Sequence, residues 1–253
     1  VNRFTRLTGL LLACAAFLAV ADITYRATYT GAKSTLSVAG TAKQPIRVMT
    51  IGGSVAHGWK DTVGSGYLPR AFSKLQAATH HDYHVYDRTI VGANSTQLAT
   101  MYKGDYDKWF ESVQPQIVVI SWGLLNDAKP SVPYSQFEKY IRQEIGDALH
   151  HKAMVYLVTP PVTKASYTEF EKQEFTYARA EVHAARSFHS PNVYVFDVFD
   201  QMKAYLRAHN QSYVPYAADG WHPNTAGHIL AGELLFVDMH REFNNVLPKF
   251  ISS

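Results

Sequence analysis

Asp219-Gly220-Trp221-His222, late in a chain of 253 residues, sets a carboxylate and an imidazole with two residues between them. At that spacing Asp219 can accept a hydrogen bond from Nδ1–H of His222, which fixes the tautomer and leaves Nε2 as a proton acceptor. A base so arranged needs a group to deprotonate. Ser54 is the candidate, in Gly52-Gly53-Ser54-Val55-Ala56-His57-Gly58, where glycines permit a tight turn directly after an apolar run. Taken alone, a serine there is a common helix N-cap, and a lone Asp-x-x-His is a common surface turn. Together they supply nucleophile, base and orienter. Pro223 restricts His222 toward extended conformations and so gives the histidine a defined place ahead of the last helix.

Attack on an ester carbonyl builds negative charge on oxygen, which must be met by N–H donors. Two loops offer them. Gly92, in Ile90-Val91-Gly92-Ala93-Asn94-Ser95, has no side chain to keep its amide from a substrate, and Asn126, in Gly123-Leu124-Leu125-Asn126-Asp127, carries a side-chain amide. With the backbone N–H of Ser54 these make three oxyanion donors; singly, Gly92 reads better as a turn glycine and Asn126 as a loop asparagine. The twelve histidines do not suggest a metal site: His80-His81 and His150-His151 are adjacent pairs that share no face, and no H-E-x-x-H is present. One cysteine, Cys14, excludes an internal disulfide and any multi-cysteine centre. Neither metal nor cofactor is expected. His57 reads as a surface histidine near the site mouth, and Trp59, Tyr67 and Trp221 as aromatics that either contact a sugar or acyl chain or pack in the core.

The elements that must position these residues follow from periodicity. Ile46–Ile51, Tyr83–Ile90, Ile117–Ser121, Met154–Val158 and Val193–Val198 read as strands, and the unbroken Ile-Val-Val-Ile run of the third implies burial on both faces. Helical patterns begin near Tyr67, with Leu68, Phe72, Leu75 and Ala78 on one face, and cover Tyr134–His150, Tyr167–Phe188 and Asn224–Phe243. Strands alternating with helices predict a parallel sheet covered on both faces, with the loops after the strands gathered along one edge. No second domain or repeat is visible between residue 45 and the end.

Ser54, Gly92, Asn126 and His222, in that order and each after a strand or before the last helix, resemble the four blocks of the SGNH hydrolases, also called GDSL esterases, over the chain from about Ile46 onward. That resemblance implies a flavodoxin-like three-layer α/β/α sandwich with a five-stranded parallel sheet of order 2-1-3-4-5. It also implies an acyl-serine mechanism: Ser54 as nucleophile and first oxyanion donor, Gly92 and Asn126 as the other donors, His222 as base and Asp219 as its helper. Two positions depart from the family. Gly53 stands where an aspartate is usual before the serine, and Leu124 where a glycine is usual two residues before the asparagine. An ordinary α/β-hydrolase fits less well, because its nucleophile lies mid-chain in G-x-S-x-G and its acid far from the histidine.

At the other end, Asn2–Arg6 carries two arginines, Leu7–Val20 is apolar or small, and Ala19-Val20-Ala21 precedes Asp22. This is the order of a secretory signal peptide, so export is expected, with residues 1–21 as the signal and 22–44 as a polar lead-in. Leu11-Leu12-Ala13-Cys14 also resembles a lipobox, so envelope association through a retained or lipidated segment is the variant of that expectation. Without residues 1–21 the formal net charge falls from +3 to +1, since Arg3 and Arg6 leave and no acid does. That balance excludes a nucleic-acid footprint, and 47% apolar with 18% charged residues excludes a disordered chain. The expected activity is hydrolysis of acyl or acetyl esters of lipid or carbohydrate; acyl transfer to envelope carbohydrate and a non-catalytic carbohydrate-binding module are the alternatives.

Overall fold

In a computed structural model, residues 44–245 are described. The expected signal segment, 1–21, and all of the 22–44 lead-in except Gln44 lie outside them. The chain's first strand, β1 (Ile46–Gly52), lies inside the sheet, its side chains buried on both faces apart from Arg47. It pairs in parallel with β2 (Tyr83–Asp87) on one side and β3 (Ile117–Ser121) on the other, and β4 (Met154–Val158) and β5 (Val193–Phe196) continue the sheet in the order β2-β1-β3-β4-β5. β3 and β4 are buried throughout, as continuous apolar runs in a doubly covered sheet should be. The order reverses between β1 and β3, which opens a crevice at their carboxyl ends. The register sets Gly52 opposite Ser121, so the loops after β1 and β3 leave the sheet side by side.

Alternation along the strands feeds two apolar cores. Met49, Ile51, Val118, Ile120, Val155 and Leu157 face α3 (Lys103–Val113), α5 (Tyr134–His150) and α6 (Glu171–Arg186), through residues such as Phe110, Ile141 and Val182. Val48, Val119, Tyr156 and Val158 face α1 (Tyr67–Thr79) and α8 (Thr225–Asn245), through Phe72, Leu75, Leu235 and Met239. The result is the three-layer sandwich that the resemblance implied.

Several boundaries differ from those read in the sequence. β2 ends at Asp87 rather than Ile90, because the Asp87 carboxylate takes Thr89 N–H at 2.9 Å and Thr89 Oγ1 at 2.6 Å and turns the chain. β5 ends at Phe196 because Asp197 accepts Asp200 N–H and caps α7 (Val198–Ala208), a helix the strand-like residues Val198 and Phe199 concealed. α6 begins at Glu171, after a 3₁₀ turn at Ala165–Tyr167, and the last helix begins at Thr225 because Asn224 Oδ1 takes Gly227 N–H at 3.0 Å. Ala78 is exposed; Tyr67 and Ala71 complete the buried face of α1 instead. The short α2 (Ser95–Ala99) and α4 (Leu125–Ala128), with α3 and α7, were not legible from periodicity.

Candidate active site

The turn that carries Ser54 is forced by its neighbours. Gly52 has φ +152°, and a Cβ there would lie 1.9 Å from the Ser121 carbonyl oxygen opposite, so only glycine fits. The chain then coils tightly, with His57 N–H on Gly53 O at 3.1 Å and Trp59 N–H on Ser54 O at 2.9 Å. Ser54 N–H has no acceptor among the described residues. Ser54 Oγ lies 3.0 Å from His222 Nε2, although 168 residues separate them.

His222 is held from its other side. Asp219 Oδ1 and Oδ2 lie 3.0 and 3.1 Å from Nδ1, and Oδ1 also accepts the N–H groups of Trp221 at 2.7 Å and His222 at 2.9 Å. Burial works against ionisation of Asp219, but the Trp221 N–H and the His222 ring and N–H outweigh it and hold the carboxyl below its ordinary range. An anion beside Nδ1 selects the tautomer with a bare Nε2 toward Ser54. The loop itself is closed by the bridge between Ala217 and Pro223 and by Asn224 Nδ2 on Pro215 O at 2.9 Å.

Asn126 lines the cleft together with Ser54 and His222. Asn126 Nδ2 gives one hydrogen to Ala93 O at 2.8 Å and keeps one, while Asn94 Nδ2 donates to Asn126 O at 3.1 Å. Asn94 meanwhile caps α2 in a capping box with Gln97. Behind Asn126, Asp127 accepts Ser95 Oγ at 2.9 Å; burial pushes its carboxyl up to about 7 in spite of the Ser95 bonds. Gly92 sits at φ +84° in an exposed turn closed by Ala93 N–H on Ile90 O at 3.0 Å, outside the lining of the cleft at Ser54. Its loop reaches the site through Ala93 O.

The departures at Gly53 and Leu124 have plain local explanations. Gly53 lies outside the left-handed region; a Cβ there would sit 3.3 Å from Ala93 O and 3.4 Å from Asn126 Nδ2, so a side chain at 53 would press on the two groups that bond each other. Leu124 has φ −59° and is buried, a conformation that asks for no glycine, and Gly123 packs instead against Val55.

Of the other residues singled out, Trp221 lines the cleft with Lys129 Nζ 4.9 Å from its ring, whereas Tyr67 is core, its hydroxyl bonded to Ser121 Oγ. Trp59 lies in a separate surface groove with His57, which is exposed and bonded to Asp87 Oδ2 at 2.8 Å. His151 stacks on Phe110. The cleft at Ser54 is completed by Pro160, Pro161, Thr163 and Glu174, none of which sequence reading found, and is narrow. Glu174 did leave a signal: it shares a helical face with Tyr177, Ala178 and Glu181, all buried.

A hydroxyl on an imidazole that is backed by a carboxylate, beside a free amide N–H and a half-free carboxamide, can pass a proton and receive an oxyanion. Such a site at the switch point of a 2-1-3-4-5 sheet defines a hydrolase of the SGNH type. The chain belongs to the GDSL-like Lipase/Acylhydrolase family, whose model matches residues 50–230. Solved structures share the fold at low identity. An acetylxylan esterase from Geobacillus stearothermophilus is 17% identical over 79% of this chain and 95% of its own, with a TM-score of 0.61. The psychrotrophic esterase EstA from Pseudoalteromonas sp. is 17% identical over 79% of this chain and 99% of its own, with a TM-score of 0.56. A lipase/acylhydrolase from Enterococcus faecalis is 19% identical over 78% and 96%, with a TM-score of 0.58. A search of curated protein sequences gives no significant match.

Proposed function

We propose that this hydrolase cleaves carboxylic esters through an acyl-Ser54 intermediate, with His222 as general base and acid and Asp219 as orienter. The observation that carries the reading is the unbroken chain from Ser54 Oγ through the His222 ring to both oxygens of Asp219, at 3.0 to 3.1 Å throughout. Nε2 takes the Oγ proton as Oγ attacks the ester carbonyl, and the resulting oxyanion is met by Ser54 N–H and the second Asn126 Nδ2 hydrogen. The imidazolium returns its proton to the departing alcohol. Water, deprotonated by the same nitrogen, then releases the acid and restores Ser54. The narrowness of the cleft, whose lining includes Trp221, Pro160 and Pro161, favours short acyl groups over long chains.

Turnover of a chain-length series of aryl esters, with acetylated sugars and a lysophospholipid alongside, tests this. Activity greatest on short esters and abolished in Ser54→Ala, with a fluorophosphonate adduct mapped to Ser54, is the expected result. Undiminished turnover by Ser54→Ala overturns it. Export is inferred separately from the basic, apolar and small-residue order of residues 1–21; a mature secreted form beginning at Asp22 is expected, and cytoplasmic protein retaining those residues overturns it.

A further inference from the structure

Two side chains in the cleft beside Ser54 hold polar atoms that nothing bonds. Glu174 is 3% exposed and Thr163 5% exposed, and among the described residues neither Glu174 Oε2 nor Thr163 Oγ1 has a hydrogen-bond partner. Both residues line the cleft together with Ser54, Asn126 and His222. Buried polar atoms are nearly always paired with protein or with ordered water, so two orphans on residues that line one cleft point to something that enters it.

The surrounding structure holds them in place. Ser166 accepts Thr163 N–H at 2.9 Å and donates to the Glu174 carboxyl, and Lys203 Nζ bonds Ser166 O at 3.2 Å. The loop between β4 and α6 is thereby tied to α6 and α7, and the free oxygens are left over after every local bond is made. Glu144 and Glu181 also carry orphan oxygens, but neither lines the cleft.

The chemistry of the pair selects its guest. A methylene chain laid against a carboxyl and a hydroxyl would strip them of water and return nothing. A hydroxyl both donates and accepts, which is what an acid and an alcohol that share Ser166 as a neighbour can satisfy. We propose that Glu174 and Thr163 form a polar subsite that takes a hydroxyl group of the substrate, carried on the acyl chain or on the alcohol next to the ester bond. This rests on Ser54 being the nucleophile. Burial raises the Glu174 carboxyl to about 7, against the opposing effects of Ser166 and Lys203, so near neutrality it is present both as a donor and as an acceptor.

Two matched pairs of esters distinguish the sources of that hydroxyl: para-nitrophenyl butyrate against its beta-hydroxy analogue for the acyl side, and propyl acetate against glycerol monoacetate for the alcohol side. The readout is the ratio of kcat/KM within a pair, since a variant that merely loosens the fold lowers both members alike. The wild type is expected to prefer the hydroxylated member by roughly ten-fold or more in one pair. Glu174→Leu and Thr163→Val should each bring that ratio toward one, and Glu174→Gln, which keeps hydrogen-bonding capacity, should retain most of it. Should Glu174→Leu not fold, Thr163→Val carries the test. Ratios near one in both pairs for the wild type, or a preference unchanged in Thr163→Val and Glu174→Leu, overturn the subsite and leave the orphans to a structural water. Calorimetric binding of the same esters to Ser54→Ala separates the two readings: a protein that turns over no ester fails as an esterase, and equal affinity within both pairs rejects the subsite by itself.

Discussion

Asn126 Nδ2 donates to the carbonyl of Ala93 at 2.8 Å, so the loop after β3 and the loop after β2 are joined at the wall of the cleft. That bond fixes the plane of the carboxamide and aims its second hydrogen. Asn126→Ala should therefore lower kcat by roughly 10²- to 10³-fold with a smaller change in KM, because the donor acts on charge that develops only in the transition state. An effect confined to KM would make Asn126 a ground-state contact. Asn94→Ala, which removes the Asn94 Nδ2 bond to Asn126 O and the cap of α2, should give a smaller loss of kcat together with a lower Tm.

Asp219 accepts three separate donors, and only one of them is the His222 ring. Asp219→Asn should cost up to roughly 10⁴-fold in kcat, since an amide no longer stabilises the imidazolium or dictates its tautomer. Its carbonyl oxygen can still hold the loop through the Trp221 and His222 N–H groups, so Tm should change little by comparison. Near-normal turnover would mean that another group orients the histidine.

Gly53 tests the chain's main departure from its family. Its φ is ordinary, so Gly53→Asp meets no backbone strain, but the new Cβ would press on Ala93 O at 3.3 Å and bring a carboxylate beside the Asn126 amide. We expect the variant to fold and to lose activity, through competition for the Asn126 hydrogens, rather than to gain it. Steady-state kinetics and Tm on the same preparations decide this. A wild type inert on all esters that gains turnover in Gly53→Asp would show the natural site to be degenerate.

Asp127 predicts a pH dependence of stability. Its carboxyl is raised from 3.8 to about 7 in the fold by burial, so between those values the unfolded chain loses a proton that the native state keeps. Stability from this group is full below about pH 4 and is lost as pH rises through 7. Asp127→Asn keeps an oxygen for Ser95 Oγ and cannot ionise, so its Tm relative to wild type should climb between pH 4 and 7 and level off above. Each kcal/mol is worth about 2–4 °C in a domain of this size. A Tm difference independent of pH would show that Asp127 ionises as freely in the fold as in solvent.

Much of this site was legible because its chemistry is carried by residue types at short spacing. Asp219 and His222 lie three residues apart, and Ser54 follows glycines that the sheet register makes obligatory. β1, β3 and β4, buried on both faces, announced themselves as apolar runs, and the half-exposed β2 and β5 were found to within a few residues. What stayed hidden was set by tertiary context. α7 is helical because Asp197 caps it, although Val198 and Phe199 read as strand. Thr163 and Glu174 belong to a loop and a helix whose approach to Ser54 no local pattern encodes.

The last prediction concerns how the serine turn is buttressed. His228 Nε2 lies 3.1 Å from Trp59 O, and Trp59 N–H in turn bonds Ser54 O at 2.9 Å, so α8 supports the turn through a single buried histidine. Its ring stacks beside Tyr67, and Nδ1 has no partner among the described residues, so a second proton would be a buried, unpaired charge. Desolvation accordingly lowers the His228 pKa from 6.5, outweighing the Trp59 carbonyl and Asp61, which pull the other way. For a histidine depressed in the fold, the native state is favoured at pH above 6.5, and that advantage is lost as pH falls through the folded value. His228→Gln can still donate to Trp59 O but cannot titrate. Wild type should therefore be the more stable protein near pH 8, and the gap in Tm should shrink as pH is taken below 6.5. A gap constant from pH 8 to 5 would mean that His228 is as readily protonated in place as in water, and the buried geometry around Nδ1 would have to be wrong.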